Sequence, residues 1–251
     1  MDQRHKFIKL VISIFPIIIF LCLWEVTARA AATPLFPAFS NVLKESYILI
    51  KNGVLLKNFL PSFVRVVVGY LLGCSAGIVV GTFMGINRFA EYTLSPLISF
   101  LFPIPTLGWL PLLMLWIGIN EALPITLIFI CAFFPVAYNT HTGIKEVKKE
   151  YIDTARTLGA SPGFILVHVI FPLAAPNIFT GLRMESGMVW RTVIAAEMFA
   201  IPNGIGSLLM NAESLLRVDI IMVCLLLLSI VCTFFERSLL WLENKTTGAW
   251  R

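Results

Sequence analysis

The sequence predicts an all-α protein that crosses a membrane about six times. Hydrophobic residues make up 58% of its 251 residues and charged residues only 13%, whereas a soluble domain averages about 25% charged residues. The mean hydropathy is +0.88. The apolar residues also fall into runs of about 20, the length that a helix needs to cross the hydrocarbon core of a bilayer.

Six such runs are predicted to span the membrane, with ends uncertain by a few residues: Phe7–Thr27, Pro61–Ile86, Leu94–Ile117, Leu123–Thr140, Pro176–Phe199 and Val218–Leu242. The segment 33–60 is too polar to span, and we expect it to lie along the outer surface. Within it, Ser40 or Asn41 is predicted to cap a short helix that Asn52 and Gly53 end.

Basic residues predict the orientation of the spans. Most of them fall on one side when the spans alternate: Arg4, Lys6, Lys9, Arg88, Lys145, Lys148, Lys149, Arg156, Arg237, Lys245 and Arg251. Because Lys and Arg are enriched in cytoplasmic loops, this side is assigned to the cytoplasm, with both chain termini. The whole chain, 1–251, is interpreted as one transmembrane domain of a bacterial inner membrane.

Composition also excludes some classes. The net charge of +5 comes without a basic stripe interleaved with aromatic residues, so it indicates the membrane surface rather than nucleic acid. The cysteines all lie in apolar segments without metal-type spacing, and we interpret them as free thiols: Cys22, Cys74, Cys131, Cys224 and Cys232. No metal site is predicted.

Glycine and proline mark the second and third spans. Small residues at every fourth position of span two predict close helix packing, within the chain or with a second copy: Gly69, Gly73, Gly77, Gly81 and Gly85. Arg65, in the same span, is expected at the membrane interface. Span three carries Pro103 and Pro105, which indicate either a broken helix lining a transport pathway or a simple kink.

Span five carries the ionisable residues Arg183, Glu185, Arg191 and Glu197. Such groups are costly inside a bilayer and usually face protein or water. Helical spacing places Arg183, Trp190 and Glu197 on one stripe, which is predicted to line a pathway or pack against span three. Arg191 is a candidate to attract an anionic solute. In the alternative interpretation Arg183 lies near the cytoplasmic end and Arg191 pairs with Glu197.

A charged island, residues 143–172, lies between spans four and five on the predicted cytoplasmic side. Its first part, residues 143–158, is predicted to be helical because Tyr151, Ala155 and Leu158 fall on one face at helical spacing. This apolar face is small and would fit a shallow groove on a partner protein.

The second part of the island contains residues that end and begin helices. Gly159 occupies the position of a glycine that ends a helix. Ser161 and Pro162 are predicted to cap and begin a second short helix, which Pro172 is expected to end. The island is thus predicted to be a helix-turn-helix element at the membrane surface, although an ordinary loop between spans is the alternative.

The island resembles the coupling motif of bacterial ABC importer permeases, in which Glu-Ala-Ala, three residues, Gly, nine residues, Ile, one residue and Leu-Pro follow one another. The matching positions keep this spacing: Asp153, Thr154, Ala155, Gly159, Val169, Phe171 and Pro172. Other segments resemble the sulfonate, taurine, nitrate and bicarbonate branch: Pro103-Ile104-Pro105, Phe133-Phe134-Pro135, the run from Ala155 to Ser161, Gly181-Leu182-Arg183 and Ala195-Ala196-Glu197.

The resemblance implies a type I ABC importer permease fold with a cytoplasmic coupling helix. It also implies a permease dimer, two separate ATPase subunits docked beneath it and an external solute-binding protein. The implied coupling residues are Asp153, Thr154, Ala155, Leu158, Gly159, Ala160, Ser161 and Pro172. The implied cargo is a sulfonate, taurine, nitrate or similar small anion, or in related branches a heterocyclic vitamin precursor. ATP and Mg would bind the partner ATPase, since this chain contains no G-x-x-x-x-G-K-[ST] loop.

Two other functions compete with this interpretation. Gly73-Cys74-Ser75-Ala76-Gly77 matches G-x-S-x-G, the pattern of a hydrolase nucleophile, but it falls inside a predicted helix instead of a strand-to-helix elbow. A secondary transporter is the other rival; such folds often contain internal repeats, and we find none in the sequence.

Overall fold

The computed structural model describes the backbone of residues 3–247 and the side chains of residues 15–246. The regular structure in this part of the chain is helical. Its helices are α1 (Gln3–Ala31), α2 (Phe39–Lys51), α3 (Val54–Ile86), α4 (Arg88–Leu101), α5 (Leu110–Trp116), α6 (Ala122–Lys145), α7 (Lys149–Thr157), α8 (Pro162–Ile165), α9 (Phe171–Ala200), α10 (Ile205–Ser214) and α11 (Val218–Thr247).

Within the described residues, four helical segments are long and apolar enough to cross a membrane: α3, α6, the segment Pro162–Ala200 and α11. A fifth span results if α4 and the segment Thr106–Trp116, which includes α5, are counted together; they are bent by 90° relative to each other. The all-α, polytopic fold class is therefore confirmed. The predicted first span lies in α1 but begins among residues whose side chains fall outside the described set.

The glycine row of α3 lies against α6 of the same chain. A Cβ atom on Gly73 would come within 2.7 Å of the carbonyl oxygen of Phe129, and one on Gly77 within 2.9 Å of that of Phe133. Gly69, Gly81 and Gly85 approach α6 as closely. The two backbones are thus in direct contact, as small residues permit in lipid.

A buried apolar core joins the long helices on the other side of this contact. It is built from small and branched residues of α3, α6, α9 and α11, among them Val66, Ile128, Val189, Val193 and Val223. Trp190 of α9 stacks on Phe59 of α3 with ring centroids 6.2 Å apart. These contacts fix α9, which carries Arg183, Glu185, Arg191 and Glu197, at the centre of the fold.

The prolines of the predicted third span lie where the chain turns. Pro103 and Pro105 lie between α4 and a 3₁₀ turn, Thr106–Trp109, that leads into α5. The two helical parts are bent by 90° at this point, far beyond a packing kink. Proline removes a backbone donor and disfavours helical conformation in the residue before it, so two closely spaced prolines end α4.

The first long segment between spans forms α2, as predicted, but its start differs from the prediction. Neither Ser40 nor Asn41 caps it; Ala38 precedes the helix. The hydroxyl and the N–H of Ser40 instead donate to the carboxylate of Glu25 in α1, at 2.8 and 3.0 Å. The expected end after Lys51 is confirmed, with Gly53 in a left-handed conformation at φ +71°.

Two predictions about the charged island are wrong. Residues 143–158 do not form one helix, because α6 ends at Lys145 and α7 begins only at Lys149. Pro172 does not end the second helix either. A π-helical turn, Leu166–Ile170, joins α8 to α9, and Pro172 lies in the first turn of α9. Pro172 thus follows directly on the π-helical turn, in which the Phe171 N–H bonds the Leu166 carbonyl oxygen, and it does not interrupt the helical segment.

Candidate functional site

The charged island forms two short helices joined by a tight turn at one end of the bundle, which we call the α7 end. After α7, Gly159 adopts φ +83°. This left-handed conformation lets the N–H groups of Gly159 and Ala160 bond the carbonyl oxygens of Arg156 and Ala155, at 2.9 and 3.0 Å. A residue with a side chain would be strained at 159, so the glycine predicted to end this helix is required there.

The second short helix begins as the sequence indicates. The Ser161 hydroxyl accepts a hydrogen bond from the backbone N–H of Phe164 at 3.3 Å, and Pro162 occupies the first helical turn. Both features compensate for the unpaired donors that every helix start exposes. Serine and proline at these positions therefore fix where α8 starts and how it leaves the turn.

The inner side of the island is fixed to the bundle by apolar contacts. In one buried cluster, Ile144, Ile165 and Ile170 of the island meet Ala174 and Ile178 of α9, and Ile78 of α3 packs against it together with Val147, Ile152, Ala155 and Ala160. Between α6 and α7, the Glu146 carboxylate accepts a hydrogen bond from the Asn177 side-chain amide at 2.6 Å. This bond connects the island to α9. The island is thus an ordered part of the fold.

The outer side of the island presents apolar and charged groups to its surroundings. The Leu158 side chain is 83% exposed and that of Tyr151 is 51% exposed, whereas Ala155 on the same predicted face packs inward. Asp153 and Arg156 are also exposed, and the Arg156 Nη1 atom lies 3.6 Å from the Asp153 Oδ1 atom. Such a pair contributes less than about 1 kcal/mol to stability, so its charges remain available to a partner. An exposed leucine beside two charges is suited to docking.

The predicted pathway residues of α9 lie in different environments. The Arg183 Nε atom lies 3.3 Å from a Glu243 carboxylate oxygen on α11. Trp190 is buried in the central core, whereas Arg191 is exposed, with Nη1 3.8 Å from the Met188 sulfur. The structure therefore does not bring these residues together into one stripe-shaped site.

Glu197 pairs with Arg65, which the sequence analysis placed at the membrane interface. The Arg65 Nη1 atom lies 2.6 Å from a Glu197 carboxylate oxygen, and the two side chains are 2% and 0% exposed. The predicted pairing of Glu197 with Arg191 is wrong, because six residues of an α-helix turn through about 240° from one face to another. Arg65 is a functional candidate that the sequence analysis missed.

Every N–H group of Arg65 has an acceptor. A guanidinium carries five such donors in a planar fork. Nε and Nη2 each donate to one carboxylate oxygen of Glu121, both at 2.7 Å. Nη1 donates to Glu197 at 2.6 Å and to the backbone oxygen of Asn203 at 3.1 Å, and Nη2 also donates to the Asn203 side chain. One arginine thus joins α3, the start of α6, α9 and the loop before α10.

Glu197 is held from its other sides by α3 and by glycines. The Ser62 hydroxyl lies 2.8 Å from both of its carboxylate oxygens, and the N–H of Gly206 donates to it at 3.0 Å. Gly204 adopts φ +114°, and a Cβ atom there would overlap the Glu197 carboxylate. The Pro202–Gly206 loop must therefore lack side chains where it covers the buried carboxylate.

The two carboxylates on Arg65 differ in exposure. The side chain of Glu197 is fully buried, whereas that of Glu121, in the turn before α6, is 64% exposed. The hydrogen bonds from Arg65 hold the pKa of the Glu121 carboxyl below its ordinary value. The ion pair stabilises the fold above the pKa that Glu121 has in the unfolded chain. This stabilisation is lost as the pH falls through the lower pKa that Glu121 has in the folded protein.

Other polar groups in the spans form smaller contacts. The Cys131 thiol lies 3.3 Å from the Glu185 carboxylate and 3.4 Å from the Thr192 hydroxyl, so these contacts join α6 to α9. Within the described residues, no group of three His, Cys, Asp or Glu side chains could hold a metal ion.

The hydrolase pattern lies in an unsuitable context. Ser75 is inside the continuous helix α3, whereas a nucleophile of this kind needs a strand-to-helix elbow. The imidazole of His141 lies 3.3 Å from Glu91, and that of His168 stacks on Phe164. The contacts described for these two histidines are thus with Glu91 and Phe164 and not with Ser75.

A bundle of apolar helices with an ordered helical element at one end is the architecture expected of a membrane permease. The comparisons agree. The chain belongs to the family described as binding-protein-dependent transport system inner membrane component, whose family model matches residues 73–248. It is therefore a permease subunit of an ABC transporter, not an enzyme.

Several named permease proteins are similar to this chain over most of its length. It is 38% identical over 229 residues to a putative ABC transporter permease protein of Methanocaldococcus jannaschii, covering 89% of this chain and 86% of that protein. It is 32% identical to the taurine transport system permease protein TauC of Escherichia coli, covering 89% and 84%. Its identity to the nitrate import permease protein NrtB of Synechocystis is 31%, covering 93% and 88%. The chain thus belongs to the branch suggested by its motifs.

A solved structure shows the same fold. The chain superimposes on an amino acid ABC transporter with a TM-score of 0.64 at 17% sequence identity, covering 79% of this chain and 97% of that one. At this identity the likeness concerns the fold alone, which is that of a type I ABC importer permease.

Proposed function

We propose that this chain forms the translocation pathway of an ATP-driven importer for a small anion such as a sulfonate, taurine, nitrate or bicarbonate. The observation that carries the proposal is the island of residues 143–172, fixed to the bundle on one side and presenting Leu158 and charges on the other. The named transport systems of the relatives, taurine and nitrate among them, support the class of cargo.

The α7 end is assigned to the cytoplasm, where two ATPase subunits would dock, one beneath each of two permease copies. The pattern of Lys and Arg supports this orientation, and an even number of spans would bring both termini to the same side. ATP and Mg would bind the ATPases, and this chain would need no cofactor of its own. An external solute-binding protein would deliver cargo to the opposite end, which carries α2 and α10.

The helix geometry offers a route by which movement at the ATPases could reach the pathway. Residues Pro162–Ala200 form one helical segment of 39 residues that begins in the island and crosses the bundle. At its far end Glu197 joins the network of Arg65. A shift of the docked island would therefore displace both ends of this segment together, as alternating access requires.

Candidate pathway residues are those of α9 and the bend before α5. Arg191 is exposed on α9 and could attract an anion by charge and hydrogen bonding. Pro103 and Pro105 create the break at which the backbone leaves the helix, and irregular backbone at membrane depth is tolerated where it faces protein or a water-filled cavity.

ATP-dependent uptake tests the proposal. The permease is reconstituted into liposomes with its ATPase and binding protein, and the entry of radiolabelled taurine and nitrate is measured. We expect uptake only with ATP, and we expect it to persist when the proton gradient is collapsed. Uptake that follows the proton gradient without ATP would identify a secondary transporter and contradict the proposal. A complex lacking the binding protein serves as the control.

A further inference from the structure

Arg65 faces an open cavity at the end of the bundle that carries α2 and α10. The cavity has a volume of about 780 Å³, and its polar wall consists of Lys57, Arg65, Glu121 and Asn203, with Leu60 and Ile125 among its apolar residues. This volume lies in the range of small-molecule sites, which combine apolar walls with a few convergent polar groups.

The two carboxylates on Arg65 divide into a permanent partner and a replaceable one. Glu197 is fully buried and is held by Ser62 and Gly206 as well as by Arg65. Glu121 is 64% exposed and reaches the guanidinium from the cavity side. The Glu121 carboxylate is held by Arg65 and by the side chain of Asn203, which also lines the cavity, whereas Glu197 is held by several buried bonds that its removal would break.

Removing Glu121 would free a specific pair of donors. Its two carboxylate oxygens occupy Nε and one N–H of Nη2, which are parallel donors of the arginine fork. The remaining donors stay bonded to Glu197 and Asn203. The exposed fork would then face the cavity, whose lining also includes Lys57.

We propose that Glu121 is a displaceable internal ligand that occupies an oxyanion-binding site formed by Arg65 and Asn203, in a cavity that Lys57 also lines. Nitrate, sulfonates and bicarbonate share the feature that the fork recognises, two oxygens on one atom that accept parallel hydrogen bonds. They also carry a single negative charge, like the carboxylate, so the direct partner of the buried guanidinium remains a singly charged anion after the exchange. A cargo anion would thus bind at the outer mouth as Glu121 swings away.

This inference rests on the proposed import of an anion and specifies a site for it. It also assigns a role to the turn that carries Glu121. Gly118, three residues earlier, adopts φ +81°, and the Asn120 side chain caps the start of α6 by accepting from the N–H of Ala122 at 2.8 Å. The Glu121 side chain can therefore leave Arg65 by rotation about its own bonds while α6 stays in place.

Binding of two probe anions to the Glu121→Gln variant tests the inference. The full permease, in complex with its ATPase in lipid nanodiscs and without nucleotide, is titrated calorimetrically with sodium nitrate and sodium ethanesulfonate. Glutamine removes the competing charge, so we expect the dissociation constant for at least one of these anions to fall roughly tenfold. Chloride shares the gain that comes from removing a negative charge but has no pair of oxygens to match the parallel donors, so its gain should be smaller than that of the oxyanions.

Glu213→Gln is the matched control, because Glu213 is an exposed carboxylate on α10 at the same end of the bundle. Equal or weaker binding in Glu121→Gln, no binding of either anion to either protein, or the same gain in Glu213→Gln would each overturn the inference. The uptake assay separates this result from the proposed function. If wild-type complexes import the anion under ATP while Glu121→Gln shows no gain in affinity, the import function stands and the site is wrong.

Discussion

Arg65 shows how one residue can join four parts of a membrane protein. It is 2% exposed, and its charge is compensated inside the fold by Glu197 and at the surface by Glu121. Taking a charge out of water is expensive unless it is paired and its hydrogen bonds are complete. The pair and the surrounding network therefore fix the position of the α9–α10 loop over the bundle.

Replacing each carboxylate in turn should distinguish their roles. We expect Glu197→Gln to destabilise the protein by about 3–5 kcal/mol, because it leaves a buried guanidinium without its internal counter-charge. Glu121→Gln should lower the free energy of unfolding by less than about 1 kcal/mol, because the Glu121 side chain is largely exposed and exposed ion pairs contribute little to stability. Thermal unfolding of the purified permease in one detergent measures both. Equal losses for the two variants would contradict the division into a permanent and a replaceable partner.

Gly159 offers a second test at the residue scale. Its φ of +83° is disfavoured for any residue with a Cβ, although there is open space around it. Gly159→Ala should therefore cost about 1–2 kcal/mol through backbone strain alone. Gly163 is the matched control, because it also has open space but no positive φ. A Gly159→Ala variant as stable as Gly163→Ala, judged by unfolding and by protease cleavage of the island, would show that the turn does not need glycine.

The contact between α3 and α6 brings the backbones of two long helices together along a row of glycines. The glycines of α3 meet carbonyl oxygens and Cβ atoms of α6 at distances that leave no room for a methyl group, as at Gly81, where the nearest such atoms belong to Ala137 and Thr140. Because the hydrophobic effect does not drive helices together in lipid, such close packing is a principal source of their association.

A methyl group introduced at this contact should separate the helices. We expect Gly81→Ala to destabilise the permease by about 1–3 kcal/mol, since the overlap involves the rigid backbone of α6. Gly187→Ala on α9 is the control, because a Cβ there meets nothing within 4 Å. The fraction of each protein that remains soluble after heating, measured by size-exclusion chromatography, provides the comparison. A Gly81→Ala variant as resistant as Gly187→Ala would show that α3 and α6 can move apart freely.

The elements that sequence could predict are those governed by local rules. The glycine period of α3, the end of α2 and the turn at Gly159 and Ser161 depend on residues close together in the chain. Pro172 was misjudged because the preceding π-helical turn, which no sequence signal marked, makes proline acceptable there. Arg65 was misjudged because its partners lie 56 and 132 residues away. A single arginine in an apolar span gives no indication of whether it snorkels or is buried.

At the scale of the whole molecule, the island and the Arg65 network lie at opposite ends of one continuous helical segment. This segment passes through the core formed with α3 and α6, so its ends are mechanically connected by packed protein. Family membership shows that the chain is a transporter subunit. The geometry adds a physical route from a docked partner to a polar cluster at the other mouth.

Site-specific cross-linking at Leu158 tests the central claim that the island is the docking surface for the ATPase. Leu158→Cys is introduced after Cys22, Cys74, Cys131, Cys224 and Cys232 have been replaced, and Glu213→Cys at the other end of the bundle is the control. In native membranes that contain the whole complex, the account predicts a cross-link from position 158 to the ATPase and none from position 213. Labelling of position 158 from outside the cell, or a cross-link to the ATPase from position 213 and none from 158, would contradict it.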